Sequence, residues 1–404
     1  MDHDVAIAGA GPAGLVTAER IARAGFKTVV FEKNAEIGTP VRTSGGSWVS
    51  TMRELNVPAS LYHPIHHMRL LMRGAEAHFD YADPLPCVLD VRNFYQYLAE
   101  RATAAGASVV LDSSVERPVL KGTTFVGLRV RVPTAGTVEV AAKVLVDASG
   151  YNSILSKRGG IHPGFQEFGL GVEYDLLAPH FNEDETMLFF GDDVAPSGYA
   201  WAFPYGGQRV RVGVGVPRPP KNVDPLEYLE RLPKFIPAIG RALTGSRVVE
   251  VHRGLIPFLS PLRAPLVADG LIIVGDAAGQ NSTLAGEGIR YAMDAGRMAG
   301  DVIVMALANR DYSKKYLERY EFRWQKAFGL NLWMAFWLHK RMMNFTDDDW
   351  ARALALFQRL SPRQFAALLR NDFSLPWLLD LLLHKLPLFP PALRFMLQPR
   401  PARR

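Results

Sequence analysis

The chain has 404 residues, 48% of them hydrophobic and 21% charged, with a formal net charge of +6. These are globular proportions at a length that suggests two or three domains, and a mild positive bias without a concentrated basic stripe does not read as nucleic-acid binding. Cys87 is the single cysteine, which excludes an internal disulfide framework and a four-cysteine iron–sulfur site and fits a reducing compartment.

The N-terminus, "MDHDVAIAGAGPAG", lacks a basic stretch followed by an apolar run and a cleavage site, so no signal peptide is read there. It reads instead as strand, turn and helix. Val5, Ile7 and Ala8 open a buried strand, and Leu15, Ala18, Ile21 and Ala22 form the inward face of a helix. Residues 27–31 give a second strand ending at Glu32. A helix is predicted over "DVRNFYQYLAERATAAG", closed by Gly106, and then a strand at "SVVLD". "FVGLRVRVP" and "KVLVDASG" read as a hairpin returning to the first unit. From about residue 165 to 255 the pattern changes to strands, "GLGVEYDLL", "TMLFFGD", "GYAWAFP" and "RVRVGVGVP". An α/β pattern resumes at "GLIIVGDAAG", and residues 311–404 are helical, rich in Leu, Trp, Phe and Arg. No uncharged apolar run approaches the roughly 20 residues needed to span a bilayer.

Chemistry concentrates at two glycine-rich turns. Gly9, Gly11 and Gly14 lie between a strand and a helix. The first permits a tight turn, the second lets a pyrophosphate approach the backbone, and the third lets helix and strand pack closely. The helix N-terminus offers unpaired N–H groups to the phosphates, and a carboxylate at Glu32 suits ribose hydroxyls. The second turn places Asp276 after an apolar strand, where a carboxylate can bond the ribityl chain of a flavin. A helix beginning at Gly288 would aim N–H groups at the flavin ring edge, where reduction develops negative charge. A nicotinamide domain has no use for this second unit, so the pair points to FAD.

The motifs "GAGPAG…FEK", "GTPVRTSGG", "DVRNFYQYLAERATAAGA", "VDASGYNS", "GYAWAFPYGG", "HRGLIPFLSP" and "GDAAGQNSTLAGEGI", in this order and spacing, resemble the geranylgeranyl reductase family within the p-hydroxybenzoate-hydroxylase-like FAD proteins. The resemblance runs from Val5 to about Gly300. It implies an α/β fold with an α+β insert. The FAD-binding Rossmann-type domain would comprise residues 1–160 and 250–310, with strand returns near 60–90. An antiparallel-sheet substrate domain would span 161–249 and a helical C-terminal cap 311–404. It implies FAD contacts at Ala13, Glu32, Arg42, Ser44, Gly46, Arg92, Val115, Asp276, Gly288 and Ile289, beside the glycines Gly9, Gly11, Gly14 and Gly286. It also implies that Tyr199, Trp201 and Phe203, alternating on one strand face, line an apolar tunnel beside the flavin, with Trp48 a further wall residue.

The implied activity is reduction of carbon–carbon double bonds in a prenyl substrate, with hydride from reduced flavin. The external reductant is left open between NADPH and an electron-carrier protein, because no second nucleotide fingerprint is visible. Family members often carry a cysteine just after the Pro-x-Arg segment, where this chain has Thr43. The rival readings are an FAD hydroxylase acting on a hydrophobic or aromatic substrate, a halogenase, and an electron carrier to quinone. No lysine occurs between Lys33 and Lys121, which speaks against a halogenase, whose chemistry needs one in that third of the chain.

Other features read as structural. His66 and His67 are strand neighbours that point apart, so no metal site is expected. Ser153 and Ser197 lack a nucleophile's setting, and Asp347–Asp349 after Thr346 suit an N-capping turn. The C-terminal segments "LNLWMAFWLHKRMMNF" and "LPWLLDLLLHKLPLFPPALRFMLQPRPARR" read as an apolar cap. Peripheral contact with a membrane is expected there, anchored by Arg394, Arg400, Arg403 and Arg404, for a protein otherwise located in the cytoplasm.

Overall fold

A computed structural model describes residues 3–217, 224–260 and 265–385. Its first layer is an eight-stranded sheet whose central run is parallel. His3–Ala8 lies between Gly136–Asp147 and Thr28–Phe31, with Leu271–Ile273 beyond one and Ser108–Val110 beyond the other. These strands are Val- and Ile-rich because both faces of the sheet are buried. Helix Pro12–Arg23 buries Leu15, Ala18, Ile21 and Ala22 against the sheet, and Ile289–Asn309 packs beside it. The hairpin of Thr124–Val132 and Gly136–Asp147 forms as its alternation requires, with Ser114–Lys121 as a third strand.

The second layer is a seven-stranded sheet in the order Arg247–Pro257, Phe168–Leu177, Arg209–Pro217, Tyr199–Gly206, Glu185–Phe189, His67–Met72, Ala75–Asp80. This corrects the expected boundaries. The strands near residues 67–80, and those at 250–257, pair into this sheet rather than into the nucleotide-binding one. Glu185–Phe189 would otherwise present an open edge, and the His67–Met72 hairpin covers it through parallel pairing. Pairing over more than 100 residues leaves no local signature. Helices Pro225–Phe235 and Pro237–Ala242 cover the far side of the sheet.

The C-terminal helices close the open face. Asp347–Phe357 packs on the His67–Asp80 hairpin, and Phe365 of helix Pro362–Arg370 stacks on Phe79 with ring centroids 4.0 Å apart. The acidic turn is the expected N-cap, since Thr346 and Asp349 exchange hydrogen bonds in a capping box. Arg394, Arg400, Arg403 and Arg404, the expected anchors, lie outside the described residues. His67 pairs with Asp80 and His66 with Asp184, and the described residues hold no cluster of three or more metal-ligating side chains.

Candidate active site

Between the two sheets lies a cavity of about 680 Å³, and the phosphate loop forms one end of it. Gly9 holds φ at +104°, and a Cβ there would sit 2.3 Å from the Ala148 carbonyl oxygen. A Cβ on Gly14 would sit 2.1 Å from the Gly9 oxygen, so strand and helix touch backbone to backbone. Gly11 differs. It caps the helix in an extended conformation, and a Cβ there would meet nothing within 4 Å. That open space, facing unpaired helix N–H groups, fits a diphosphate. Glu32 is oriented by the backbone N–H groups of Ala10 and Asn34, each donating to its carboxylate at 3.0 Å.

At the other end, Asp276 opens onto the cavity while protein encloses it otherwise. Loss of hydration raises its carboxyl to about 6, against which Asn281, donating at 3.4 Å, acts only weakly. Asn281 Oδ1 and Thr283 Oγ1 are buried without a partner, two polar atoms at the cavity wall that a hydroxyl-bearing chain would satisfy. The donor set, the glycine cradle and these orphaned atoms fit FAD.

A second cavity of about 460 Å³ adjoins the first and is walled almost wholly by apolar side chains, from Trp48, Met68 and Leu70 to Phe357, Phe365 and Trp377. The two share Thr43, Ser44, Tyr199, Leu284, Gly286, Gly288, Ile289, Met342 and Trp350. The aromatic strand divides between them. Trp201 faces the first, Phe203 the second, and Tyr199 both, in a continuous wall with ring centroids 5.8 and 6.2 Å apart. The Tyr199 hydroxyl donates to the Ala285 carbonyl at 2.7 Å, and burial pushes its ionisation up to about 12.

Of the residues named from sequence, Gly9, Gly11, Ala13, Glu32, Arg42, Val115 and Asp276 line the first cavity, while Gly46 and Trp48 line only the second. Gly14 is packed beneath the loop. Arg92 is not brought to either wall, and its guanidinium is held by Glu36 at 2.8 Å. Met342 and Trp350 at the junction, the buried Arg211 that supports Ser44, and the Glu173–His252 pair were not found from sequence. His252 opens the quoted stretch "HRGLIPFLSP", but only chain folding brings it to Glu173, 79 residues away, and the others to the site.

A family described as FAD binding domain matches residues 2–325. Digeranylgeranylglycerophospholipid reductase 2 of Methanothermobacter thermautotrophicus is 30% identical over 356 residues, 86% of this chain and 90% of its own. The chain belongs to the geranylgeranyl reductase family. A reductase of the same name from Methanopyrus kandleri is 31% identical over 81% of this chain and 84% of its own. Among solved structures, a geranylgeranyl bacteriochlorophyll reductase-like protein of Thermoplasma acidophilum shares the fold. Its TM-score is 0.84 at 24% identity, covering 98% of this chain and 99% of that one. As a member of this geranylgeranyl reductase family, the chain is an FAD-dependent oxidoreductase, and the cavity with the glycine cradle has the lining that fits its cofactor.

Proposed function

We propose that this protein saturates carbon–carbon double bonds of a geranylgeranyl-type chain carried on a lipid, as its relatives' names describe for them. The observation that carries this reading is the junction of the two cavities. An apolar chain lying in the second would bring a double bond to Tyr199, Ile289 and Trp350, beside the flavin cavity. A prenyl chain offers only C–H surface and π-faces, and such a wall is what recognises it.

FAD, when bound and reduced, supplies the hydride equivalent. The chain's own part is placement and exclusion of water. Gly9, Gly11, Ala13 and Glu32 would hold the diphosphate and ribose, with Asp276 and Val115 further along the cofactor. Gly286, Gly288 and Ile289 would hold the ring end, and Thr43 and Ser44 the junction. The electrons come from outside the chain, from NADPH or an electron-carrier protein.

A lipid substrate suggests where the protein works. Trp333 and Trp337 of helix Leu330–Met342, and Leu375, Leu379 and Leu383 of helix Leu375–Lys385, are exposed, while Met334, Leu338, Trp377 and Leu378 of the same two helices line the apolar cavity. Among the described residues no helix is long and apolar enough to cross a membrane. This face would instead rest on a bilayer surface, so that a lipid passes from membrane to cavity between the two helices.

The deciding experiment is anaerobic. The bound flavin is reduced with dithionite, a geranylgeranyl phospholipid is added, and reoxidation is followed with mass analysis of the product. A gain of two hydrogens per bond is expected. Oxygen-dependent insertion of one oxygen atom into an aromatic, with prenyl lipids ignored, would make the protein a hydroxylase.

A further inference from the structure

Glu173 and His252 face each other across the antiparallel strands Phe168–Leu177 and Arg247–Pro257. The imidazole Nδ1 lies 3.0 Å from Glu173 Oε1, and Nε2 lies 2.9 Å from an oxygen of Glu250, two residues along the same strand face. The three groups differ sharply in exposure. The Glu173 and His252 side chains are 4% and 3% exposed, while that of Glu250 is 56% exposed. Glu173 and His252 also line the flavin cavity, where Glu173 Oε2 accepts from the Trp201 indole N–H at 3.1 Å. An unbroken file of hydrogen bonds therefore runs from water at Glu250, through the imidazole, to a carboxyl group at the cavity wall.

Burying a carboxylate and an imidazole beside a cavity is costly where apolar residues could build the same wall. The charges around the pair are mixed. Burial opposes the imidazolium most, Glu173 and Glu250 outweigh it, Arg211 on the strand beside Glu173 opposes it again, and Arg92 and Arg209 face Glu250. With carboxylates at both nitrogens, the ring can take a proton on one side and release one on the other.

We propose that Glu250, His252 and Glu173 form a proton relay from solvent to the flavin cavity, supplying the proton that each double-bond reduction consumes. This rests on the reductase reading above. Saturating one double bond breaks its π bond and forms two C–H bonds. One hydrogen arrives with the electron pair from reduced FAD, which is oxidised in the step. The other is a proton released at Glu173, which is replenished from the His252 imidazolium, itself refilled through Glu250 from water.

The test uses the full-length FAD-loaded protein and its Glu173→Gln, His252→Asn and Glu250→Gln forms. Each is prereduced without oxygen and mixed with a geranylgeranyl phospholipid, and flavin reoxidation is followed from pH 6 to 9. Loss of a positioned proton donor slows such steps by about 10²–10⁴-fold. The first two variants are expected to slow at least about 10-fold and to lose the parent's pH dependence, with added acetate partly restoring a Glu173→Gly form. A role confined to packing would show no acetate rescue. Nitrogen-15 resonances of His252 give a readout separate from activity: its titration should move to lower pH in Glu173→Gln. Variants that match the parent in rate and pH profile, or a His252 titration indifferent to Glu173, would overturn the relay while leaving the reductase reading intact. A parent that oxidises with no prenyl substrate would overturn the reductase reading, and the relay's role with it.

Discussion

Arg211 donates through Nη1 to the carbonyl oxygen of Ser44 at 3.0 Å, from a side chain only 2% exposed. The same nitrogen reaches the Leu89 carbonyl at 3.0 Å, and the guanidinium lies over the Tyr205 ring at 4.0 Å. The second sheet thus fixes the position of a segment that borders both cavities. Replacing Arg211 by Met leaves those two carbonyls without their donor, while Asp175 keeps Arg209 at 2.9 Å. A loss of about 1–3 kcal/mol is expected from leaving buried acceptors unpaired, together with weaker FAD binding. Denaturant melts and flavin-fluorescence titrations measure the two, and an unchanged FAD affinity would refute the link.

The two loop glycines separate folding from binding. Gly14→Ala forces a Cβ against the Gly9 oxygen and should lower the melting temperature with or without FAD. Gly11→Ala meets no protein atom, so its melt without FAD should match the parent's. Its Cβ fills the space assigned to the diphosphate, and FAD affinity should fall at least about 10-fold, or 1.4 kcal/mol. Isothermal titration of the protein freed of FAD decides.

Asp276 predicts a pH dependence with a definite sign. Its folded-state pKa is raised to about 6 from the unfolded 3.8, so folding takes up a proton in that window. In protein freed of FAD, this group's contribution is fully present below pH 3.8, falls as pH rises, and is gone above about 6. Two units correspond to roughly 3 kcal/mol, and water in the cavity reduces this to about 2. Asp276→Asn should therefore stabilise the FAD-free protein by about 2 kcal/mol at pH 8 and leave it nearly unchanged at pH 4. The same variant should bind FAD less tightly.

Trp350 bridges the cavities, with its ring 4.4 Å from Phe190 and 5.1 Å from Phe345 between centroids. Trp350→Leu opens the junction at an expected cost of about 2 kcal/mol. A prenyl chain held less closely should react at least about 10-fold more slowly, because misplacement by about 1 Å carries that scale of penalty. Because Trp350 also borders the flavin cavity, FAD affinity should fall by less than the rate does. Single-turnover reoxidation beside a binding titration tests both halves.

The exposed apolar face has its own test. Trp333, Trp337 and Leu379 changed together to Glu should abolish flotation with anionic liposomes, since each large apolar side chain contributes about 1.5–3 kcal/mol when buried. The triple variant should still fold and bind FAD, because the three side chains are exposed. Flotation equal to the parent's would exclude this face as the contact.

The sequence by itself determined what depends on neighbours along the chain. The Gly9–Gly11–Gly14 spacing, the period-2 runs, Glu32 at a strand end and the Thr346 cap are local, because backbone geometry and side-chain periodicity act over a few residues. The alternation at Tyr199, Trp201 and Phe203 likewise placed all three rings on one face. Only the tertiary structure decided that Trp201 faces the flavin cavity and Phe203 the apolar one, since the division depends on what packs against that face. The same holds for the hairpin at residues 67–80, which pairs with a strand more than 100 residues away, and for Arg92, which Glu36 holds away from the cavity. Glu173 and His252 are 79 residues apart and meet only because their strands pair in one register. Contacts of that separation are set by which surfaces can be buried together, and no local pattern encodes them.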